Sequence, residues 1–476
     1  MKRRTKALIA TLTLCLMLPF MMIPASANSA QQRWNGSDAT GAIITDGDSP
    51  IVVEHENLTF DINEFPQPYY NEESDFLAYS GRVTAEYHFY NPSDMTVTAT
   101  LAFPFGRMPD YGYSFSESEV TSRDISVNGE TVTADIRYTL MSGSDFNLEN
   151  DLPRLSNEYL SDGLLSPDTT VTLYKWNIGE VNVEYTQATN VATDIKSGDT
   201  SRIYFFEGQS GGHKQKDGDF RIADWVKGKD SILLYVIGEP LAELPTWKFY
   251  KDGGCKDGEE LNGSVSYKGC ESITLLEMAM ANYDSERGIS QVDWYNCLYS
   301  ELTSNDEKYG DGYNIALLDG YRTGYNRNLM RWYQYEITLE PGERIVNSVS
   351  APMYSGIDMS YTPTVYQYTY LLSPASTWKS FGDIDITINT PYYLTESTID
   401  GFEKTEEGYS LHLDGLPESE LIFSLSTEEA PEKEDNSGVG LLIILMLIIM
   451  PFVALWEGIE DVVEIIVNGI KDIFTK

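Results

Sequence analysis

Val83-Thr84-Ala85-Glu86-Tyr87-His88-Phe89-Tyr90 runs into Asn91-Pro92-Ser93-Asp94 and on through Met95-Thr96-Val97-Thr98-Ala99-Thr100-Leu101-Ala102-Phe103. In an extended chain successive side chains point to opposite faces, so Val83, Ala85, Tyr87 and Phe89 share one side while Thr84, Glu86, His88 and Tyr90 take the other. After the break, Met95, Val97, Ala99, Leu101 and Phe103 alternate with three threonines. Asn, Pro, Ser and Asp between the two runs are turn formers. The stretch predicts a β-hairpin, and with it a half-buried sheet.

The same pattern continues outward. Ile125-Ser126-Val127, Asn128-Gly129 and the run 131–138 predict a second hairpin, because Asn and Gly both tolerate the positive φ of a type I′ turn. Further strands are expected at 170–178, 181–185, 202–206, 231–237, 333–339, 364–372, 384–388 and 420–425. One stretch breaks the period. Thr274-Leu275-Leu276-Glu277 and Ser290-Gln291-Val292-Asp293 match the capping box, and Val292, Tyr295, Leu298, Tyr299 and Leu302 then recur with helical spacing. A helical insertion is expected near 272–304. The fold class is therefore mainly β: a β-sandwich-like ectodomain with a small helical insertion. Its parts are expected at 28–250, 251–330 (the helical part, with the cysteines) and 331–427. Whether the two β parts make one sandwich or two stays open at this point.

The two ends place the chain. Residues 1–27 read as a secretory signal: Lys2-Arg3-Arg4-Thr5-Lys6, then an apolar core, then Ala25-Ser26-Ala27. Val439 to Trp456 is 18 residues without a charge, about 27 Å as a helix, which predicts one C-terminal transmembrane helix. Residues 428–438 are acidic and Pro-containing, an expected stalk. After the span, Ile459, Val462, Val463, Ile466, Ile470, Ile473 and Phe474 form one stripe, so 457–476 is expected to be an amphipathic tail helix lying on the bilayer or on a partner helix. The expectation is a single-pass type I protein of the cell membrane, with its large N-terminal part extracellular.

Charge excludes one class of function. With 33 Lys+Arg against 73 Asp+Glu the chain carries −40, and the leader would take four of the cations with it. No phosphate-tracking surface follows from that, so nucleic acid is not an expected partner. The bilayer is one, and cell-wall glycan or another envelope protein are the others.

Motifs for chemistry are sparse. Gly208-Gln209-Ser210-Gly211-Gly212 matches the nucleophile elbow G-x-S-x-G, which makes Ser210 a weak catalytic candidate with His412 as its base. The residues after it are polar and lack helical period, against that reading. Cys255, Cys270 and Cys297 allow three pairings, of which Cys255–Cys270 is favoured by its Gly-rich flanks. No C-x-x-C occurs and the histidines at 55, 88, 213 and 412 are far apart, so neither a metal nor a cofactor is expected. Tyr69, Tyr70, Tyr111 and Tyr113 stand beside Pro and Gly in loop-like sequence, where amphipathic rings suit glycan or protein contact.

Tyr90-Asn91-Pro92-Ser93-Asp94 followed by Leu101-Ala102-Phe103-Pro104-Phe105, with Tyr368-Thr369-Tyr370-Leu371-Leu372, Trp378 and Phe381-Gly382-Asp383-Ile384 later, resembles uncharacterised secreted bacterial β-domain proteins. The resemblance implies an extracytoplasmic β-rich domain of a bacterium, a Gram-positive one, and implies no activity. The expected function is a cell-surface interaction or envelope-structural module. An envelope hydrolase using Ser210 or a carboxylate pair, and signal transmission through the tail, are the alternatives.

Overall fold

The computed structural model describes residues 33–34, 38–40, 43–44, 49–65, 81–106, 124–142, 147–163, 165–181, 189–195, 202–206, 209–214, 220–226, 230–309, 312–314 and 329–433. The expected leader, span and tail lie outside them. Among the described residues no helix is long and apolar enough to cross a membrane.

The protein is mainly β, in several sheets. The alternation in the opening stretch is realised in its greater part: Val83, Ala85, Tyr87 and Phe89 are fully buried on the strand Gly81–Tyr90, and Ala99, Leu101 and Phe103 on Val97–Gly106, while Met95, ahead of the second strand, is exposed. The hairpin is not realised. Gly81–Tyr90 lies in an eight-stranded sheet, paired with Val52–Asp61 and Arg344–Met353. Val97–Gly106 lies in a four-stranded sheet, paired with Leu329–Leu339. The strands on either side of residues 340–343 make the same change of sheet, so two antiparallel strands turn one corner together.

Asn91 is the reason the chain turns there without folding back. It is fully buried, and its Nδ2 donates to the carbonyls of Met95, Leu339 and Glu340 at 2.8, 3.1 and 3.1 Å. Its Oδ1 accepts from the Ser93 amide and hydroxyl. One side chain therefore satisfies backbone groups that the ladder leaves open at the corner.

The second hairpin forms as expected, with Ser126 opposite Thr131 and positive φ at Asn128 (50°) and Gly129 (81°). The strand after it stops at Thr131, and Asp135–Leu140 joins the four-stranded sheet. The eight-stranded sheet takes Val52–Asp61, Gly81–Tyr90 and Asp124–Val127 from the first expected β part. It takes Arg344–Met353, Phe381–Asn389 and Gly408–Leu413 from the second. The two parts thus share one sheet. A six-stranded sheet containing Val365–Leu371 and Leu421–Ser426 packs on its apolar face, with Phe60 against Tyr370 and Phe423 at ring-centroid distances of 5.7 and 5.1 Å.

The two longer helices among the described residues are Leu275–Ala281 and Gln291–Tyr309. They form a layer on one sheet. Leu275, Met278, Trp294, Tyr295, Leu298 and Leu302 pack on Val171, Leu173, Tyr235 and Ile237 of a five-stranded sheet. The other face of that sheet, through Trp176, Ile232, Leu234 and Val236, packs on a second five-stranded sheet through Val191, Ile195, Ile222 and Phe249. Strand Ser231–Ile237 is apolar on both faces because both are covered.

Contacts also set apart a small unit. Its described part is residue 33 with 358–365 and 426–433, where Tyr361–Thr362 pairs with Glu432–Lys433. Glu432 and Lys433 of the expected stalk 428–438 belong to that pair.

Candidate functional site

Three of the four histidines, read as scattered along the chain, meet on the open face of the eight-stranded sheet. Register brings them there: His412 stands opposite Asp385, Asp385 opposite Asn57, and Asn57 opposite Glu86. One row over, Asp383 stands opposite His55, and His55 opposite His88. Two rows of polar side chains thus cross the sheet, one over four adjacent strands and one over three, on the face opposite Leu58, Phe60, Ile384 and Ile386 of the core.

His55 is held at both nitrogens. Nδ1 lies 3.0 Å from Asp383 Oδ2, and Nε2 lies 2.9 Å from Asn57 Oδ1 and 3.6 Å from Asp385 Oδ2. Asn57 is oriented in turn by its own Nδ2 donating to Glu86 Oε1 at 3.3 Å. Both ring nitrogens therefore face acceptors, the arrangement that suits imidazolium. Burial lowers the His55 pKa, but the hydrogen bonds to Asn57 and Asp383 and the charges of Asp383 and Asp385 outweigh it, leaving a net rise.

His412 Nδ1 lies 2.7 Å from Asp385 Oδ1 and Nε2 lies 3.5 Å from Asp414 Oδ1. The hydrogen bond to Asp385, with the neighbouring carboxylates, raises its pKa. Asp383 is lowered, chiefly by its own backbone amide and then by His55. His88 packs edge-on to His55 at 5.5 Å, with Nε2 3.4 Å from Glu86 Oε1. At the rim Arg344 makes a two-pronged bond to Glu54, 2.8 Å at each prong, and covers the ring of Tyr90 at 4.0 Å. The face is open: the side chains of Asp383, Asp385 and His412 are 47%, 52% and 55% exposed. It offers fixed carboxylates and imidazoles to a ligand that makes ionic or hydrogen-bonding contacts.

The residues singled out from sequence fall elsewhere. Ser210 is on a strand, Gln209–Lys214, that pairs with the next strand Phe220–Trp225 through a register shift at Gln209/Gly211. A nucleophile elbow needs strand, tight turn and helix, so Ser210 lacks that setting. His412, its proposed base, is engaged with Asp385. The expected Cys255–Cys270 disulfide is absent and all three thiols are free. Cys255 is buried among Ala192 and Tyr250 in one sheet's apolar cluster, while Cys270 is exposed on the edge strand Gly263–Thr274 of another. Tyr69, Tyr70, Tyr111 and Tyr113 lie outside the described residues. Among the described residues no group of three or more His, Cys, Asp or Glu side chains is arranged to hold a metal ion.

No protein-family model matches the chain, and no curated protein does. Among solved structures, a Legionella pneumophila protein provisionally described as nutrient binding aligns over 83% of this chain and 72% of its own. Its identity is 11% and its TM-score 0.34, too loose a likeness to carry an argument.

Proposed function

We propose that the protein is a membrane-anchored, extracellular interaction module of a bacterial envelope, and that its contact surface is the histidine–carboxylate face around His55, Asp383, Asp385 and His412. The observation that carries this reading is the construction of that face. Its side chains are fixed by one another on four strands of one sheet, yet remain open to a ligand. Polar groups so fixed lose little entropy on binding. The secretory leader and the apolar run 439–456 read from the sequence support the location. Glycan hydroxyls and amines, or a basic surface of an envelope protein, match the chemistry of the face.

The full chain in detergent, incubated with isolated cell-wall glycan and separately with solubilised envelope proteins, tests this. Asp383→Asn combined with Asp385→Asn removes both carboxylates from the rows. Retention of the wild type should fall by about tenfold or more in the double variant, the loss of roughly 1.4 kcal/mol. Equal retention of the two proteins would remove this face from the contact.

A further inference from the structure

On strand Val52–Asp61 the register shifts between Val53 and His55, so Glu54 and His55 both face outward and Glu56 turns in with Leu58 and Phe60. Glu56 is 1% exposed, inside the seam between the eight-stranded and six-stranded sheets. Tyr370, on Val365–Leu371 of the facing sheet, donates its hydroxyl to Glu56 Oε1 at 3.3 Å. Tyr87, on the neighbouring strand, lies with its hydroxyl 3.4 Å from that of Tyr370 and bonds to Glu56 as well. Ile384, across from Glu56 on the other neighbouring strand, and Phe423, on the facing strand Leu421–Ser426, are fully buried and apolar. The groups acting on the carboxyl are thus two phenols and the charge of His55, which faces the opposite side of the sheet.

We propose that Glu56 is a proton-operated latch between the two sheets: neutral, it lets the six-stranded sheet seat on the eight-stranded one, and ionised, it opens that seam to water. A buried carboxylate without a cation beside it costs several kcal/mol, so the closed seam holds the proton and the open seam releases it. Burial raises the Glu56 pKa to about 7, against the pull of Tyr87, Tyr370 and His55 in the other direction. In the open seam the value returns to that of an ordinary glutamate, so the latch loosens as pH rises through neutrality. The latch does not depend on which partner the outer face contacts.

Hydrogen exchange of the full chain in detergent, read in the segments around Phe60 and Tyr370 and corrected for the intrinsic chemical rate, tests it. Between about pH 5 and about pH 8 the open fraction should rise on the order of 50-fold in the wild type. In Glu56→Gln the open fraction should stay nearly flat over the same range. Tyr370→Phe removes a hydrogen bond that favours the ionised form in the closed seam, so its rise should begin at the same pH and continue to higher pH before levelling off. A wild type with flat exchange, or Glu56→Gln following the wild type, overturns the proposal. Should Glu56→Gln not fold, Tyr370→Phe decides: an unmoved levelling-off point overturns the latch, and one shifted to higher pH supports it.

Discussion

Arg137 and Asp293 show what a buried charge demands at the scale of a residue. Arg137, on Asp135–Leu140, makes a two-pronged bond to Asp293 on the helix Gln291–Tyr309, with distances of 2.7 and 3.0 Å. Its remaining donors reach Asn157, Gln334 and the Ser156 carbonyl, and Asp293 also accepts from the Tyr138 amide. The pair ties the helix layer to the four-stranded sheet. Asp293→Ala should destabilise by about 3–5 kcal/mol in denaturant titration, because it leaves the guanidinium buried and unpaired. Replacing both partners with apolar residues of similar volume should cost less. The sequence offered Asp293 as half of a capping box, and Ser290 Oγ does accept from its amide at 3.0 Å. Its carboxylate serves Arg137 instead, a use visible only once residue 137 is beside it. The cysteines give a second test: Cys270 should react with maleimide in the folded protein while Cys255 and Cys297 do so only on unfolding. Burial pushes both of those thiols up.

Single elements show how local chemistry and packing divide the work. The helix Leu275–Ala281 carries the full box, Thr274 Oγ1 accepting from the Glu277 amide at 3.1 Å and Glu277 Oε2 from the Thr274 amide at 2.7 Å. Thr274→Ala should lower stability by about 1 kcal/mol, read as a shift in the denaturation midpoint. The parallel pair of Phe381–Asn389 with Val52–Asp61 depends on a glycine. Gly382 sits where the neighbouring strand bulges, and a Cβ there would land on the Glu54 carbonyl. Gly382→Ala should cost about 1–3 kcal/mol and should also disturb His55 and Asp383 on either side of the bulge. The NMR shifts of the His55 ring report that displacement directly. The chain shows that Gly382 is flexible, but not that a carbonyl approaches it.

At the scale of the molecule, pH acts through both faces of one sheet. Asp383, lowered, contributes stability that is lost as pH falls through its folded-state value. His55 and His412, raised, contribute stability that is full below their unfolded value and is lost as pH rises through the folded one. Glu56 adds to the loss on the alkaline side. The melting temperature should therefore peak on the acid side of neutrality and fall towards about pH 8. His412→Gln should flatten part of that fall. The sequence by itself determined strands such as Gly81–Tyr90 and Val97–Gly106, the Asn128-Gly129 turn and the helix starts, because alternation, turn preference and capping are properties of neighbouring residues; it left Val52–Asp61 and Arg344–Met353 unmarked. Only the tertiary structure decided that the opening strands part into two sheets at Asn91, that Ser210 sits on a strand without an elbow, and that His55 meets Asp383. The parting at Asn91 and the meeting of His55 with Asp383 are set by pairing between segments hundreds of residues apart, and register across such a distance leaves no local mark in either segment.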